Sequence, residues 1–149
     1  MKSLFRYLGG VTLLLSLAAC SEAESPNPPQ AKAAPPAAAK PVSLETGERL
    51  FRQHCAQCHG ENAQGDPNWR KLRPDGSFPP PPLNGTGHAW HHSMAVLKAT
   101  IRDGTARLGG TMPAWGDKLT EAEIEAVIRW FQSKWPPDIY ARWQELDRR

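Results

Sequence analysis

Cys55-Ala56-Gln57-Cys58-His59 constrains this chain more than any other stretch. Two thiols three positions apart, with an imidazole directly after the second, suit covalent attachment of a haem. Each thiol adds to one vinyl group as a thioether, and His59 presents a ring nitrogen to the iron. Cysteine is scarce, three in 149 residues, so chance is a poor explanation for the spacing. A length of 149 residues fits one folded domain.

Three segments read as helices. Ser43 can cap the first, in which Leu44, Gly47, Leu50, Phe51 and Cys55 recur at spacings of three and four and lead into the thiol motif. The second runs from about Ser93 to Asp103, with Val96, Leu97, Thr100 and Ile101 as its stripe and Gly104 placed to end it. Thr120-Glu121-Ala122-Glu123 reads as a capping box opening the third. There Ile124, Val127, Ile128 and Phe131 form the apolar face, and Pro136-Pro137 are expected to stop the helix. No strand is apparent. The loops 60–92 and 105–119 are too long for a bare compact domain, and become reasonable when wrapped around a cofactor that completes the core. The expected fold is therefore all-α.

Over residues 43–136 the chain resembles the class I c-type cytochromes. Gly47 and Phe51 precede Cys55 as in that family's first helix, where the small residue permits a close crossing with the last helix and Trp130 or Phe131 is the aromatic partner. Pro81-Pro82-Leu83-Asn84-Gly85 resembles the family's Pro-x-Leu-x-Gly turn. That likeness implies that the Pro81 carbonyl accepts the second ring N–H of His59, a contact that orients the ring and raises its basicity. Gly110-Thr111-Met112-Pro113-Ala114-Trp115 resembles the distal methionine loop before the last helix. The resemblance implies a cytochrome c fold: three main helices with long loops around one covalent haem c, and a possible extra C-terminal helix.

Met112 is the candidate sixth ligand. It follows His59 by 53 residues and lies on the loop expected to close the pocket. A soft thioether favours ferrous iron, so His/Met ligation raises the reduction potential. Met94 is a rival thioether at the start of the second helix. His88, His91 and His92 leave other readings open: bis-His ligation, a surface copper or zinc site, contacts to haem propionates, or a solvated cap. His54 is expected to face water.

Trp90, Trp115 and Trp130 are candidates to line the haem, where an indole N–H can also meet a propionate. With Leu83, the first two complete the expected cofactor-binding set of Cys55, Cys58, His59, Pro81 and Met112. Trp69, Trp135 and Trp143 read as surface or core packing. Lys71, Arg73, Lys98, Arg102 and Arg107 form either a steering rim or an ordinary solvated face.

The N-terminus reads as an address. Lys2 and Arg6 precede a short apolar run, Leu8 to Ala19, too brief to span a bilayer but suited to a signal peptide. Leu17-Ala18-Ala19-Cys20 resembles a bacterial lipobox, which implies cleavage before Cys20 and its acylation. The alternative is an ordinary signal peptide that leaves Cys20 a free thiol. Lys2 and Arg6 are the only charges in residues 1–19, so without them 16 basic side chains face 15 acidic ones, far from the basic surface that nucleic acid demands. Residues 20–42 are rich in Pro and Ala and cannot offset their ordering entropy. As a tether they reach roughly 60 Å. Residues 137–149 are left as a C-terminal extension.

These readings predict a monohaem, lipid-anchored carrier of single electrons on the periplasmic side of a bacterial membrane. It would be no enzyme, and would take neither nucleic acid nor a small-molecule substrate. Family likeness implies quinol:cytochrome c oxidoreductases as donors and terminal oxidases or periplasmic reductases as acceptors, met through interfaces below ~1,200 Å². Two alternatives stay open. One is a haem enzyme or gas or redox sensor with an open or bis-His iron; the other is a cytochrome subunit of a larger dehydrogenase.

Overall fold

The computed structural model describes residues 43–149; the expected signal peptide, Cys20 and the tether lie outside the described residues. The described part is helical, with no strand: α1 (Leu44–His54), α2 (Ala56–His59), α3 (Met94–Asp103), α4 (Glu121–Gln132) and α5 (Pro137–Asp147). Short 3₁₀ turns at Ala89–His91 and Ala106–Leu108 punctuate the loops before and after α3. The all-α expectation holds.

The helix starts follow their capping residues. Ser43 Oγ accepts from Thr46 N at 3.1 Å, and Ser93 Oγ accepts from Val96 N at 3.4 Å. At α4 the box is complete: Glu123 N donates to Thr120 Oγ1 at 3.3 Å, and Thr120 N donates to Glu123 Oε2 at 2.9 Å. Such caps satisfy N–H groups that a helix cannot serve internally, each worth about 1 kcal/mol.

The main packing unit is α1 against α4. Leu50 and Phe51 meet Ile124, Val127, Ile128, Trp130 and Phe131, all buried. The Phe51 and Trp130 rings lie 4.4 Å apart, so Trp130 is the aromatic partner at the crossing. Gly47 is where the two backbones close. A Cβ there would overlap the Ala126 carbonyl, with its carbon at 2.7 Å, and would sit 2.9 Å from Trp130 Cβ. α3 adds Leu97 and Ile101 to the same core.

Three sequence expectations are adjusted. Leu44 (53% exposed) and Val96 (45% exposed) leave their stripes, because only part of each helix face meets a neighbour. α4 ends at Gln132 and turns through Ser133, before the prolines. Pro137 then opens α5, a position where its missing N–H costs nothing.

α5 packs on the core rather than trailing from it. Trp143 is buried, T-shaped against Trp135 at 5.9 Å, and its Nε1–H donates to His92 O at 2.9 Å. Asp147 Oδ1 accepts from Met94 N at 2.6 Å, so a carboxylate from α5 supports the N-terminus of α3.

Candidate haem site

α1 does not run through the thiol motif. It ends at His54, and Cys55 (φ −114°, ψ −34°) joins it to α2. Cys55 O accepts from Cys58 N at 3.1 Å and from His59 N at 2.9 Å, which wraps the motif into one turn. Positions i, i+3 and i+4 share a helical face, so Cys55, Cys58 and His59 are presented together, with Ala56 buried beneath. Neither cysteine of the motif is in a disulfide; Cys55 is half-buried and Cys58 exposed. Burial, helped by the neighbouring Cys58, pushes the Cys55 thiol up to about 11.

His59 is buried, and its Nδ1 lies 2.9 Å from Pro81 O. A carbonyl can only accept, so Nδ1 carries the proton and Nε2 keeps the lone pair. Burial lowers the ring's pKa, opposed by the Pro81 bond, and holds the imidazole neutral, the form that binds a metal.

The Pro81 turn is fastened from two sides by residues to which the sequence did not point. Ala63 O accepts from Leu83 N at 2.8 Å and from Asn84 N at 3.2 Å. Ala63 is fully buried with φ +57°, the one non-glycine residue in the left-handed region among the described residues. On the other side Leu83 O accepts from Trp135 Nε1 at 2.7 Å, so Trp135 is more than core packing.

Met112 is half-buried on the core that also carries Cys55, Leu83, Trp90 and Met94. Its backbone N–H donates to Thr105 Oγ1 at 3.0 Å, and its carbonyl accepts from Thr105 N at 3.0 Å. Trp115 is buried three residues on. Its N–H donates to Ile101 O at 3.0 Å, and its ring lies 5.1 Å from that of His54. That contact brings the methionine loop to the residue before Cys55, and leaves His54 half-buried rather than freely solvated.

The chain thus offers two thiols on one turn, an imidazole with Nε2 available, and a thioether on a separate loop. Leu83, Trp90, Met94 and Met112 are half-buried against the same core as Cys55. This donor set fits haem c.

The other expected residues divide. Trp90 is half-buried, but its Nε1–H donates to Gly87 O at 3.1 Å and its ring stacks on His91 at 3.6 Å, so the N–H is engaged within the protein. Trp130 lies in the α1–α4 core. His88 stacks on Trp69 at 5.3 Å and meets His92 edge-on at 5.5 Å. Burial, then the nearby His92, His91 and Arg70, lower the His88 pKa. Among the described residues, no three His, Cys, Asp or Glu side chains gather as a metal site. Lys98 pairs with Glu121 at 3.2 Å and Arg102 with Asp103 at 2.9 Å, so these two basic residues have acidic neighbours on the surface.

Residues 42–131 match the family described as "Cytochrome C oxidase, cbb3-type, subunit III". Similar proteins include the cbb3-type cytochrome c oxidase subunit CcoP of Azospirillum brasilense, 36% identical over 86 residues that cover 58% of this chain and 26% of the relative. CcoP of Rhodobacter capsulatus is 33% identical over 101 residues, covering 62% of this chain and 29% of that protein. The FixP subunit of Azorhizobium caulinodans is 36% identical over 87 residues, 57% of this chain and 25% of the relative. The chain therefore spans only about a quarter to three-tenths of the relatives' length. No solved structure gave a significant match. The family match covers well over half the chain, and the helices, the thiol turn and the Pro81 contact agree with it: the chain belongs to this cbb3-type cytochrome family, as a c-type cytochrome that carries haem c and transfers electrons.

Proposed function

We propose that this chain is a one-electron carrier with a single haem c, bound through Cys55 and Cys58 and ligated by His59 and Met112. The observation that carries the reading is the His59–Pro81 hydrogen bond on a turn that also presents both thiols. The bound haem supplies the Fe(II)/Fe(III) couple. The chain's own part is to hold His59 in one tautomer, keep Met112 on a fastened loop and surround the crevice with apolar side chains. Held ligands mean little rearrangement between oxidation states. One C-x-x-C-H motif, with Cys20 the only other cysteine, supports one haem. No substrate chemistry is part of this reading.

The cbb3-type oxidase names of the relatives favour a terminal oxidase as acceptor, with a quinol:cytochrome c oxidoreductase as a fitting donor class. They equally favour a second arrangement, in which the chain sits as a cytochrome subunit of an oxidase. Among the described residues no helix is long and apolar enough to cross a membrane. The lipobox-like run ending at Cys20 supports acylation there, which would hold the domain on the periplasmic side of either bacterial membrane.

The visible spectrum tests the ligand set. The ferric holoprotein is expected to be low-spin with a far-red methionine-to-iron band, and Met112→Leu to abolish that band and lower the potential. A high-spin ferric spectrum in the unchanged protein would sink the carrier in favour of an open-site enzyme or sensor. For the anchor, cells fed labelled fatty acid should label the wild-type chain and leave Cys20→Ala blank; equal labelling excludes Cys20 as the acceptor.

A further inference from the structure

We infer that Thr105 is a positioning residue for Met112, its hydroxyl fixing the methionine loop to the end of α3; this rests on the ligand reading above. Thr105 directs all three of its polar groups into one short loop. Its N–H donates to Met112 O at 3.0 Å, its Oγ1 accepts from Met112 N at 3.0 Å, and its carbonyl accepts from Gly110 N at 2.9 Å. Both backbone polar groups of Met112 are thereby spent on a single residue, seven positions earlier.

The loop has little else to hold it there. Gly109, Gly110, Thr111, Pro113 and Ala114 are exposed, and Leu108 at the preceding turn is 85% exposed. Two adjacent glycines make the segment entropically costly to order. On its inner side the loop rests against Gly104, where φ is +70° and a Cβ would stand 2.7 Å from Ala114 N and 2.8 Å from Met112 O. Beyond it, Trp115 N reaches back to Ile101 O. The loop is therefore anchored at Trp115 and clamped at Thr105, and the side chain between those points is the thioether.

A ligand held on a clamped loop leaves the iron only as often as the clamp opens. An added ligand such as imidazole competes for the vacated position, with an apparent affinity set by the open fraction. Losing one ordinary hydrogen bond from the closed form raises that fraction roughly fivefold. Thr105→Val removes the acceptor for Met112 N while keeping the branched shape and the Thr105 N–H bond. Thr105→Ser keeps the hydroxyl.

The test is imidazole titration of the ferric holoprotein, followed by the Soret shift and, where it is present, by loss of the far-red band, in the unchanged protein and in Thr105→Val, Thr105→Ala, Thr105→Ser and Met112→Leu. Imidazole affinity is expected to rise roughly fivefold in Val and Ala. The Ser variant should stay near the unchanged protein. Unaltered affinity in Val and Ala overturns the clamp. So does a Ser variant that behaves like Val, since the methyl group and not the hydroxyl would then matter. Met112→Leu separates the two claims: if it leaves band and affinity untouched, the ligand assignment falls and the clamp with it. If it responds while Val and Ala are silent, the clamp alone falls.

Discussion

Replacing both motif cysteines, Cys55→Ser with Cys58→Ser, is expected to abolish covalently retained haem completely. In the native turn the two sulfurs stand one helical turn apart on the face that His59 shares. A thioether survives denaturation, whereas the axial coordination and apolar burial proposed above would not. Serine preserves the size and polarity of the exposed position 58 and introduces only a small hydroxyl at half-buried position 55. The variant should therefore keep its fold and its His59–Pro81 contact while releasing haem to acidified organic solvent. Haem staining on a denaturing gel reads the result directly. A stained band at the full mass of the double variant would exclude the thioether assignment outright.

The second large effect is expected on stability. Gly47→Val should cost about 3 kcal/mol or more, the upper end of the overpacking range. The first added carbon already overlaps the Ala126 carbonyl and sits 2.9 Å from Trp130 Cβ, so neither a backbone group nor a rotamer change can relieve it. α1 would have to move off α4, and with it Leu50 and Phe51, which anchor the largest buried contact of the domain. Helix propensity returns only a few tenths of a kcal/mol, because valine is barely better than glycine in a helix. For a domain of this size the loss lowers the melting temperature by on the order of 10–20 °C. Far-UV circular dichroism during heating measures it, and an unchanged midpoint would mean that the crossing tolerates a wider spacing than Gly47 allows.

Local chemistry in the sequence accounts for much of what folded as expected. Ser43, Ser93 and the Thr120–Glu123 pair act within four residues of themselves, so their role as helix starts is readable without any knowledge of the fold. The thiol turn is equally local. The Pro81 contact spans 22 residues and was legible only through family likeness, although the hydrogen bond itself is ordinary. What stayed hidden was long-range or conformational. Nothing in the letter code marks Ala63 as left-handed, or as the double acceptor that holds the Pro81 turn. Trp135 and Trp143 read as generic aromatics because packing and hydrogen bonding by an indole look alike in sequence. Their partners, Leu83 and His92, lie 52 and 51 positions away. Val96 fits its stripe by periodicity and is exposed because no neighbour reaches that side of α3. Thr105 escaped notice because its value lies in three bonds to one loop, not in any pattern of its own.

The fastening of α5 ties together two stretches far apart in the chain. Trp143 and Asp147 hold His92 O and Met94 N, the two points that flank Ser93 at the head of α3. Both fasteners follow the thiol turn in chain order by more than half of the folded segment. Opening at the far end of α5 therefore also unfastens the start of α3, and hydrogen exchange at the Met94 amide reports on both ends at once.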